Sequence, residues 1–412
     1  MGRGLIGWLG PVWTIALAQL FGTSLWFSAN GVAHELMAVW QVSPATLGWL
    51  TNAVQLGFIA GTLGISLSGL ADRFPASRIF IASAIVGALS NAAFAFLAEG
   101  LPVAIFCRFL VGMSLAGIYP LGMKLIVSWA PHGTGAALAQ LVAMLTLGTA
   151  LPHLLQASSG GLPWQAVVGA SSVLALIGAW LIGWLGDGPH LPQAGRRPGA
   201  RGVHAGAVLA AFHRPAFRAS AFGYFGHMWE LYAFWTVVPL YVLQAGVATA
   251  VPLGGASGLA FLVIATGALG SLLGGVLSRR YGSVRVAATA LAMSGVCGLV
   301  FVVGWRSFPP AALLVLMVVW GAAVVADSPH FSALSAQACP PGLVGSALAI
   351  QNALGFAITV VSIAIVTSLF ERWGLDSAWL LLAGPMLGLL GFRPLLRDPG
   401  LLAASADDRS RP

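Results

Sequence analysis

The chain has 412 residues, of which 58% are apolar and only 7% are charged. A soluble globular domain carries roughly 25% charged residues, so this composition excludes a soluble globular protein. It indicates that lipid surrounds most of the chain. The net charge of +8 comes from a few Lys and Arg residues between apolar runs. Such charges orient a chain in a membrane, and we expect no nucleic acid as a partner.

Apolar runs of about 20 residues predict twelve membrane-spanning helices. In chain order they are expected near residues 10–33, 46–70, 78–98, 102–127, 135–156 and 163–185, and then 217–243, 252–277, 286–305, 309–333, 344–369 and 377–397. The predicted fold is therefore an all-α polytopic membrane protein built as two pseudo-symmetric six-helix bundles. Its predicted parts are an N-terminal half 1–186, a basic linker 187–216, a C-terminal half 217–398 and a tail 399–412.

The two halves repeat short sequence features in the same order. A basic loop follows the second helix and again the eighth, and its residues Arg73 and Arg280 are 207 positions apart, close to half of 412. Phe21-Gly22 likewise corresponds to Phe225-Gly226, and Tyr119-Pro120 to Ser328-Pro329. Tandem membrane-embedded halves with a site where they meet are typical of secondary transporters.

Lys and Arg lie mostly in the loops of one side, with Arg306 and Arg372 as the exceptions on the other. This positive-inside pattern predicts that the N-terminus, the linker and the C-terminus are cytoplasmic. We expect a multi-pass protein of the cytoplasmic (inner) membrane, embedded in the lipid bilayer as a monomer.

These motifs resemble those of the major facilitator superfamily over essentially the whole chain. Asp72, Arg73 and Arg78 match part of its loop motif, although Ser68 and Pro75 replace the two glycines. The second copy of the loop keeps Gly275, Arg280, Gly282 and Arg285, with Arg279 in the acidic position. Arg108 and Gly112 match its Arg-x-x-x-Gly motif. The resemblance implies alternating access and a cavity lined by helices one, four, seven and ten, and it leaves the subfamily unassigned.

Ionisable residues inside the predicted helices are few, and a charge in hydrocarbon costs from roughly 2.5 kcal/mol upward, so each is a functional candidate. Helices seven and ten each place an acid and an imidazole three residues apart on one face. A carboxylate away from bulk water can exchange a proton near neutral pH. We expect Glu230 to be the principal proton-coupling acid, with Asp327 and Arg108 assisting. The full set is Arg108, His153, His227, Glu230, Asp327 and His330.

Structural roles remain open for the same residues. Glu230 could simply be bonded to His227 or to a neighbouring helix, and Asp327 could cap a helix broken near Pro329. Arg108 could bind an anionic substrate, pair with an acid, take part in proton coupling or be structural. The two His-acid pairs also leave a metal site open, although Asp327 is expected a few turns closer to the cytoplasm than Glu230.

Polar and aromatic residues at membrane depth are candidates for the substrate cavity, although each alone is more often a packing contact. They are Trp26, Asn30, Gln55, Tyr119, Tyr224 and Trp229. The basic loops are expected to form a cytoplasmic gate, for which a purely topogenic role is the alternative. The gate residues are Asp72, Arg73, Arg78, Arg280, Gly282 and Arg285.

The sequence therefore predicts a secondary transporter that moves a small solute, with protons as the expected coupling ion, and that uses no cofactor. No GxxxxGK[ST] run is present, which argues against ATP as the energy source. Two other classes remain open: a non-transporting receptor or assembly factor on a transporter scaffold, and a membrane-embedded His/carboxylate enzyme. The duplication favours the transporter and argues against the enzyme.

Overall fold

A computed structural model of the chain describes residues 2–131, 134–191, 211–339, 343–398 and 400–402. These residues form helices joined by short loops, and none of them is in a strand. Most of the predicted linker 187–216 and all of the tail except residues 400–402 lie outside the described residues. The all-α fold class predicted from the sequence is confirmed.

Six helices form the N-terminal half, and all begin and end within several residues of the predicted bounds except the first. They are α1 Gly2–Thr23, α2 Pro44–Ser68, α3 Ala76–Leu97, α4 Leu101–Trp129, α5 Thr134–Ala157 and α6 Trp164–Leu185. Two short helices, Ser28–Gly31 and Ala33–Trp40, follow α1. The boundaries of α2 have local causes: Ser43 caps its first turn and Gly69 ends it in the left-handed conformation.

The C-terminal half repeats this arrangement. Its helices are α7 Pro215–Gln244, α8 Gly255–Tyr281, α9 Ser283–Gly304, α10 Pro310–Ala326 with its second segment Ser328–Ala338, α11 Val344–Trp373 and α12 Ala383–Arg397. A 3-10 helix, Gly374–Leu382, precedes α12. Nine segments of the described chain are long and apolar enough to cross a membrane, and one of them, Val344–Arg397, contains both α11 and α12.

Two spans are broken at mid-depth. The first was predicted as one helix over 10–33, which is wrong, because the chain leaves the helix at Thr23 and resumes it at Ser28. The tenth breaks at Asp327, between its two segments, as the position of Pro329 predicted.

The two halves meet along α2 and α11 and along α5 and α8. At the face opposite the basic loops, Asn52 Nδ2 donates to the carbonyl of Val360 at 3.1 Å, and the amide of Ala45 donates to Glu371 at 3.2 Å. Towards the basic-loop face, a Cβ atom added to Gly64 of α2 or Gly345 of α11 would meet nothing within 4 Å. The α2–α11 contact is therefore closed at the opposite face, while α5 and α8 still touch towards the basic-loop face, where a Cβ atom added to Gly275 would lie 3.4 Å from that of Ala139.

Within the N-terminal half, α2 and α4 are in backbone contact. A Cβ atom added to Gly57 would lie 2.0 Å from the carbonyl oxygen of Phe109, and one added to Gly112 would lie 2.0 Å from that of Val54. This crossing explains why a glycine follows Arg108 by four residues. It also fixes the depth of Arg108 relative to α2.

We expect Gly57→Ala to destabilise the protein by about 1–3 kcal/mol, the usual cost of overpacking, because the added methyl group collides with backbone. Gly64→Ala in the same helix is the matched control, since its methyl group enters open space and Ala favours the helix by up to about 1 kcal/mol. Thermal unfolding in one detergent measures both variants. Equal midpoints for the two variants would contradict the close crossing of α2 and α4.

Candidate functional site

Arg108 of α4 binds the broken part of the first span. Its side chain is fully buried, and its Nη1 donates to the carbonyl of Leu25 at 3.1 Å, while Nη2 donates to the carbonyl of Trp26 at 2.5 Å. These carbonyls lie in the non-helical stretch, where regular helical hydrogen bonding is interrupted. The guanidinium group therefore satisfies backbone oxygens that would otherwise be buried without partners.

Two side chains extend this arrangement to α3 and α6. Arg108 Nη1 also donates to Ser28 Oγ at 2.8 Å and to Asn91 Oδ1 at 2.9 Å. Asn91 Nδ2 in turn donates to the carbonyl of Val168 at 2.9 Å and to Ser172 Oγ at 3.0 Å. Among the described residues Arg108 has no acidic partner, so its contacts correspond to the structural alternative.

The break turns Trp26 and Phe27 towards the C-terminal half. The Trp26 ring lies 5.0 Å from that of Phe58, 5.6 Å from Tyr232 and 5.7 Å from Phe356, measured between centroids. Phe58 and Phe356 are 4.4 Å apart, which joins α2 to α11. We call the set from both halves the central aromatic cluster: Trp26, Phe27, Phe58, Tyr232, Trp235 and Phe356.

Some of the predicted cavity residues contact this cluster and others do not. Gln55 belongs to it, because its Oε1 accepts from Trp26 Nε1 at 3.2 Å. Asn30 lies nearer the face opposite the basic loops, and its Nδ2 donates to Thr51 Oγ1 at 2.9 Å. Trp229 does not face the cluster; its Nε1 donates to the carbonyl of Leu380 at 2.8 Å, on the side of α12.

Tyr119 and Tyr224 lie across the interface from one another. A Cβ atom added to Gly355 of α11 would lie 2.5 Å from the Tyr224 ring, so Tyr224 packs between α7 and α11. Tyr119 of α4 is close enough to interact electrostatically with Tyr224 and Tyr232. The two predicted residues are therefore brought together beside the cluster. Phe58 and Phe356 were not predicted, because nothing distinguishes them from ordinary packing aromatics in an apolar run.

Glu230 lies inside the C-terminal half. Its carboxylate accepts hydrogen bonds from Ser294 Oγ of α9 at 2.8 Å and from Trp320 Nε1 of α10 at 2.7 Å. Phe234 stacks on Trp320 at 4.4 Å and holds that donor in place. Glu230 is therefore bonded to neighbouring helices, which was one of the two structural roles left open by the sequence. The other, a hydrogen bond between Glu230 and His227, is not found among the described residues.

His227 instead meets Asp327 of α10. Their Nδ1 and Oδ1 atoms are 2.8 Å apart with both side chains buried, although the contact lacks the alignment of a hydrogen bond. Asp327 does not cap the second segment of α10 with its side chain. Because His227 is one helical turn from Glu230, the two acids differ in depth by about 5 Å, not by the predicted few turns. Among the described residues, no group of three or more His, Cys, Asp or Glu is placed to hold a metal ion.

Comparison with known proteins agrees with this architecture. The sequence profile of the Major Facilitator Superfamily matches residues 12–269. The chain belongs to this superfamily. The proton:xylose symporter XylE bound to 6-bromo-6-deoxy-D-glucose superimposes with a TM-score of 0.71 at 15% identity, covering 94% of this chain and 96% of that one.

A second structure of XylE and one further relative are also similar to the chain. The xylose transporter XylE from E. coli, in a partially occluded inward open conformation, gives a TM-score of 0.69 at 15% identity, over 94% of this chain and 99% of that one. The niacin transporter NiaP of Acinetobacter baylyi is 32% identical over 139 residues, which is 33% of this chain and 31% of NiaP. The match therefore spans about a third of that relative's length.

Among the described residues, the superfamily loop motif has its side-chain contacts within the N-terminal half. Asp72 lies 3.7 Å from Lys124 Nζ of α4 and is 87% exposed, and Lys124 also donates to the carbonyl of Ala71. The loop arginines Arg73, Arg78, Arg280 and Arg285 are exposed, and so is Gly282. Their part in a gate stays a prediction. One anchor in this region was not predicted: the Asp187 carboxylate accepts from the amide of Ser77 at 2.8 Å, at the start of α3.

We expect Arg108→Lys to destabilise the protein by about 3 kcal/mol, because an ammonium group cannot reproduce the guanidinium fork and two charge-assisted hydrogen bonds are lost at about 1.5 kcal/mol each. Asn91→Leu in a double-mutant cycle with it should show a coupling of about 0.5–3 kcal/mol. The exposed Arg78→Lys is the control and should change stability by less than about 0.5 kcal/mol. Additive effects of Arg108→Lys and Asn91→Leu on the unfolding free energy would contradict a single network.

Proposed function

We propose that the protein is a secondary active transporter that moves a small organic solute through the central aromatic cluster by alternating access. The observation that carries this proposal is that the break after α1, together with α2, α7 and α11, builds one buried cluster from both halves. When two halves rock against each other, a binding site between them is exposed first to one side of the membrane and then to the other. The hydrogen bonds of Asn52 and Ala45 across the halves support one of the two states of this cycle.

The positive-inside rule supports an orientation with the basic loops in the cytoplasm of a cell whose inner membrane holds the protein. The closed contacts of Asn52 and Ala45 then lie at the periplasmic face. At that face a cavity of about 270 Å³ lies between the halves, with Glu35 and Gln156 on one side and Gly254 and Ser257 on the other. In this orientation it is the outer vestibule of the transport path.

The cluster favours a solute with a flat face. Aromatic rings bind planar groups by stacking, which is worth about 0.5–1.5 kcal/mol per ring pair beyond the buried area. Gln55 Nε2 and Trp235 Nε1 are buried donors without a partner among the described residues, and they suit a polar group on such a solute. Niacin, named as the substrate of the relative NiaP, is a planar pyridine carboxylic acid and supports this class.

Nicotinate at 100 times its dissociation constant should stabilise the purified protein by about 2.7 kcal/mol, since it binds only the folded state. Trp26→Ala should remove the shift because it deletes the ring at the centre of the cluster. Xylose and nicotinamide serve as comparisons for a sugar and for an uncharged ring. A thermal shift with xylose alone would refute the planar class while leaving transport itself in place.

Proton coupling rests on the buried acids of the C-terminal half. Glu230 is two residues from Tyr232 of the cluster, and Asp327 lies about one helical turn nearer the basic-loop face. Neither has a Lys or Arg partner among the described residues, so protonation can change its charge without breaking a permanent ion pair. Arg108 assists by holding Trp26 in the cluster.

Glu230→Gln should abolish uptake driven by an imposed pH gradient but leave exchange of nicotinate across the membrane intact. One coupled proton supports up to about tenfold accumulation per pH unit, and the neutral variant should reach only the external concentration. Radiolabelled nicotinate in proteoliposomes measures both quantities, and exposed Glu99→Gln is the matched control. Gradient-driven accumulation by Glu230→Gln at the wild-type level would exclude Glu230 as a coupling acid.

A further inference from the structure

We propose that His153 of α5 binds the acidic group of an anionic solute as it passes between the outer vestibule and the central aromatic cluster. The inference rests on the proposed transport of a planar organic solute. It adds the residue that distinguishes an acid from the corresponding uncharged compound.

The imidazole of His153 is buried without a hydrogen-bond partner. Its side chain is fully buried, and neither Nδ1 nor Nε2 has a partner among the described residues. An imidazole always carries at least one N–H donor, and a buried donor that makes no hydrogen bond is unfavourable. A solute group with an acceptor oxygen would satisfy this donor, so the side chain is suited to binding a ligand.

His153 lies on the face of α5 that meets α8 of the other half. It is seven residues after Thr146 and four before Ala157, which puts the three side chains on one side of the helix. A Cβ atom added to Gly267 of α8 would lie 3.1 Å from Thr146 Cγ2. One added to Gly254, just before α8, would lie 3.0 Å from the Cβ atom of Ala157. His153 therefore lies in the interface between the halves, between these two contacts.

In depth, His153 lies between the vestibule and the cluster. Ala157, one helical turn away, lines the vestibule. Pro152, the residue before His153, packs on Gly31, since a Cβ atom added to Gly31 would lie 2.7 Å from Pro152 Cβ. Gly31 also lines the vestibule, and its amide donates to the carbonyl of Phe27 of the cluster at 2.9 Å. A solute that moves from the vestibule to the cluster therefore passes this part of α5.

Four buried residues of the described chain can carry a positive charge, and the other three are already paired. Arg108 donates to four acceptors of the N-terminal half. His227 lies 2.8 Å from Asp327, and His330 interacts electrostatically with the same acid. His153 is thus the one of the four that has neither an acidic nor a carbonyl partner among the described residues.

A carboxylate fits this position better than an uncharged group does. The neutral imidazole donates one N–H to a carboxylate oxygen, and the protonated imidazole adds an opposite charge. Such a bond is stronger in the protein interior than in water, because the surroundings screen it less. The aromatic cluster therefore selects a planar ring, and His153 selects the acid that the ring carries.

Nicotinate and nicotinamide share one ring and differ in the acid group, so their dissociation constants from the purified protein near neutral pH test the inference. The wild type should bind nicotinate more tightly. His153→Leu should weaken nicotinate binding by about 10- to 100-fold, the effect of losing a hydrogen bond to a charged group, and should change nicotinamide binding by less than about threefold. His153→Gln keeps a donor without the charge and should lie between. His213→Gln, at an exposed residue, is the matched control and should bind both compounds as the wild type does.

Thermal unfolding without ligand shows whether the variants are folded. Leu removes a buried polar group that has no partner, so His153→Leu should unfold at no lower temperature than the wild type. An unchanged preference for nicotinate in His153→Leu and His153→Gln, or equal binding of acid and amide by the wild type, would overturn the role of His153 and leave the proposed transport of a planar solute in place. Binding of neither compound by the wild type would refute the planar class of solute, and the inference with it.

Discussion

The absence of water in the hydrocarbon region requires every backbone polar group to find a partner inside the protein, and the first span breaks this regularity at mid-depth. Arg108 makes the break possible, since its guanidinium group binds the carbonyls of Leu25 and Trp26. The central aromatic cluster depends on this one residue, because Trp26 reaches Tyr232 and Phe356 only where the helix is interrupted. The backbone crossing at Gly57 and Gly112 in turn holds α4 at the depth where Arg108 meets α1.

Most of the fold could be predicted from the sequence because the length of an apolar run and the presence of Pro329 are local signals. The break after Thr23 could not, since residues 24–27 contain no Pro or Gly. It is stabilised by Arg108, Ser28 and Asn91, which lie on three different helices or segments. A tertiary contact of this kind leaves no pattern in the spacing of the residues that it joins.

The partners of the acids in the candidate site were likewise not predictable from the sequence. Spacing along α7 placed His227 and Glu230 on one face, and that much follows from helix geometry. It did not show that Glu230 would bind Ser294 and Trp320, while His227 would meet Asp327. Which neighbour a buried polar group faces depends on the packing of α9 and α10 against α7, so the sequence identified the polar residues of the site and not their pairing.

The two halves, although duplicated, divide the buried charges unequally. The N-terminal half holds Arg108, a cation whose guanidinium group donates to backbone carbonyl oxygens of the first span. The C-terminal half holds Glu230, Asp327 and His227, whose charges change when protons bind. The duplication therefore supplied two similar frames whose buried charges differ: the break in the first span is held by the Arg108 guanidinium group, whereas the break in α10 lies at an acid beside an imidazole.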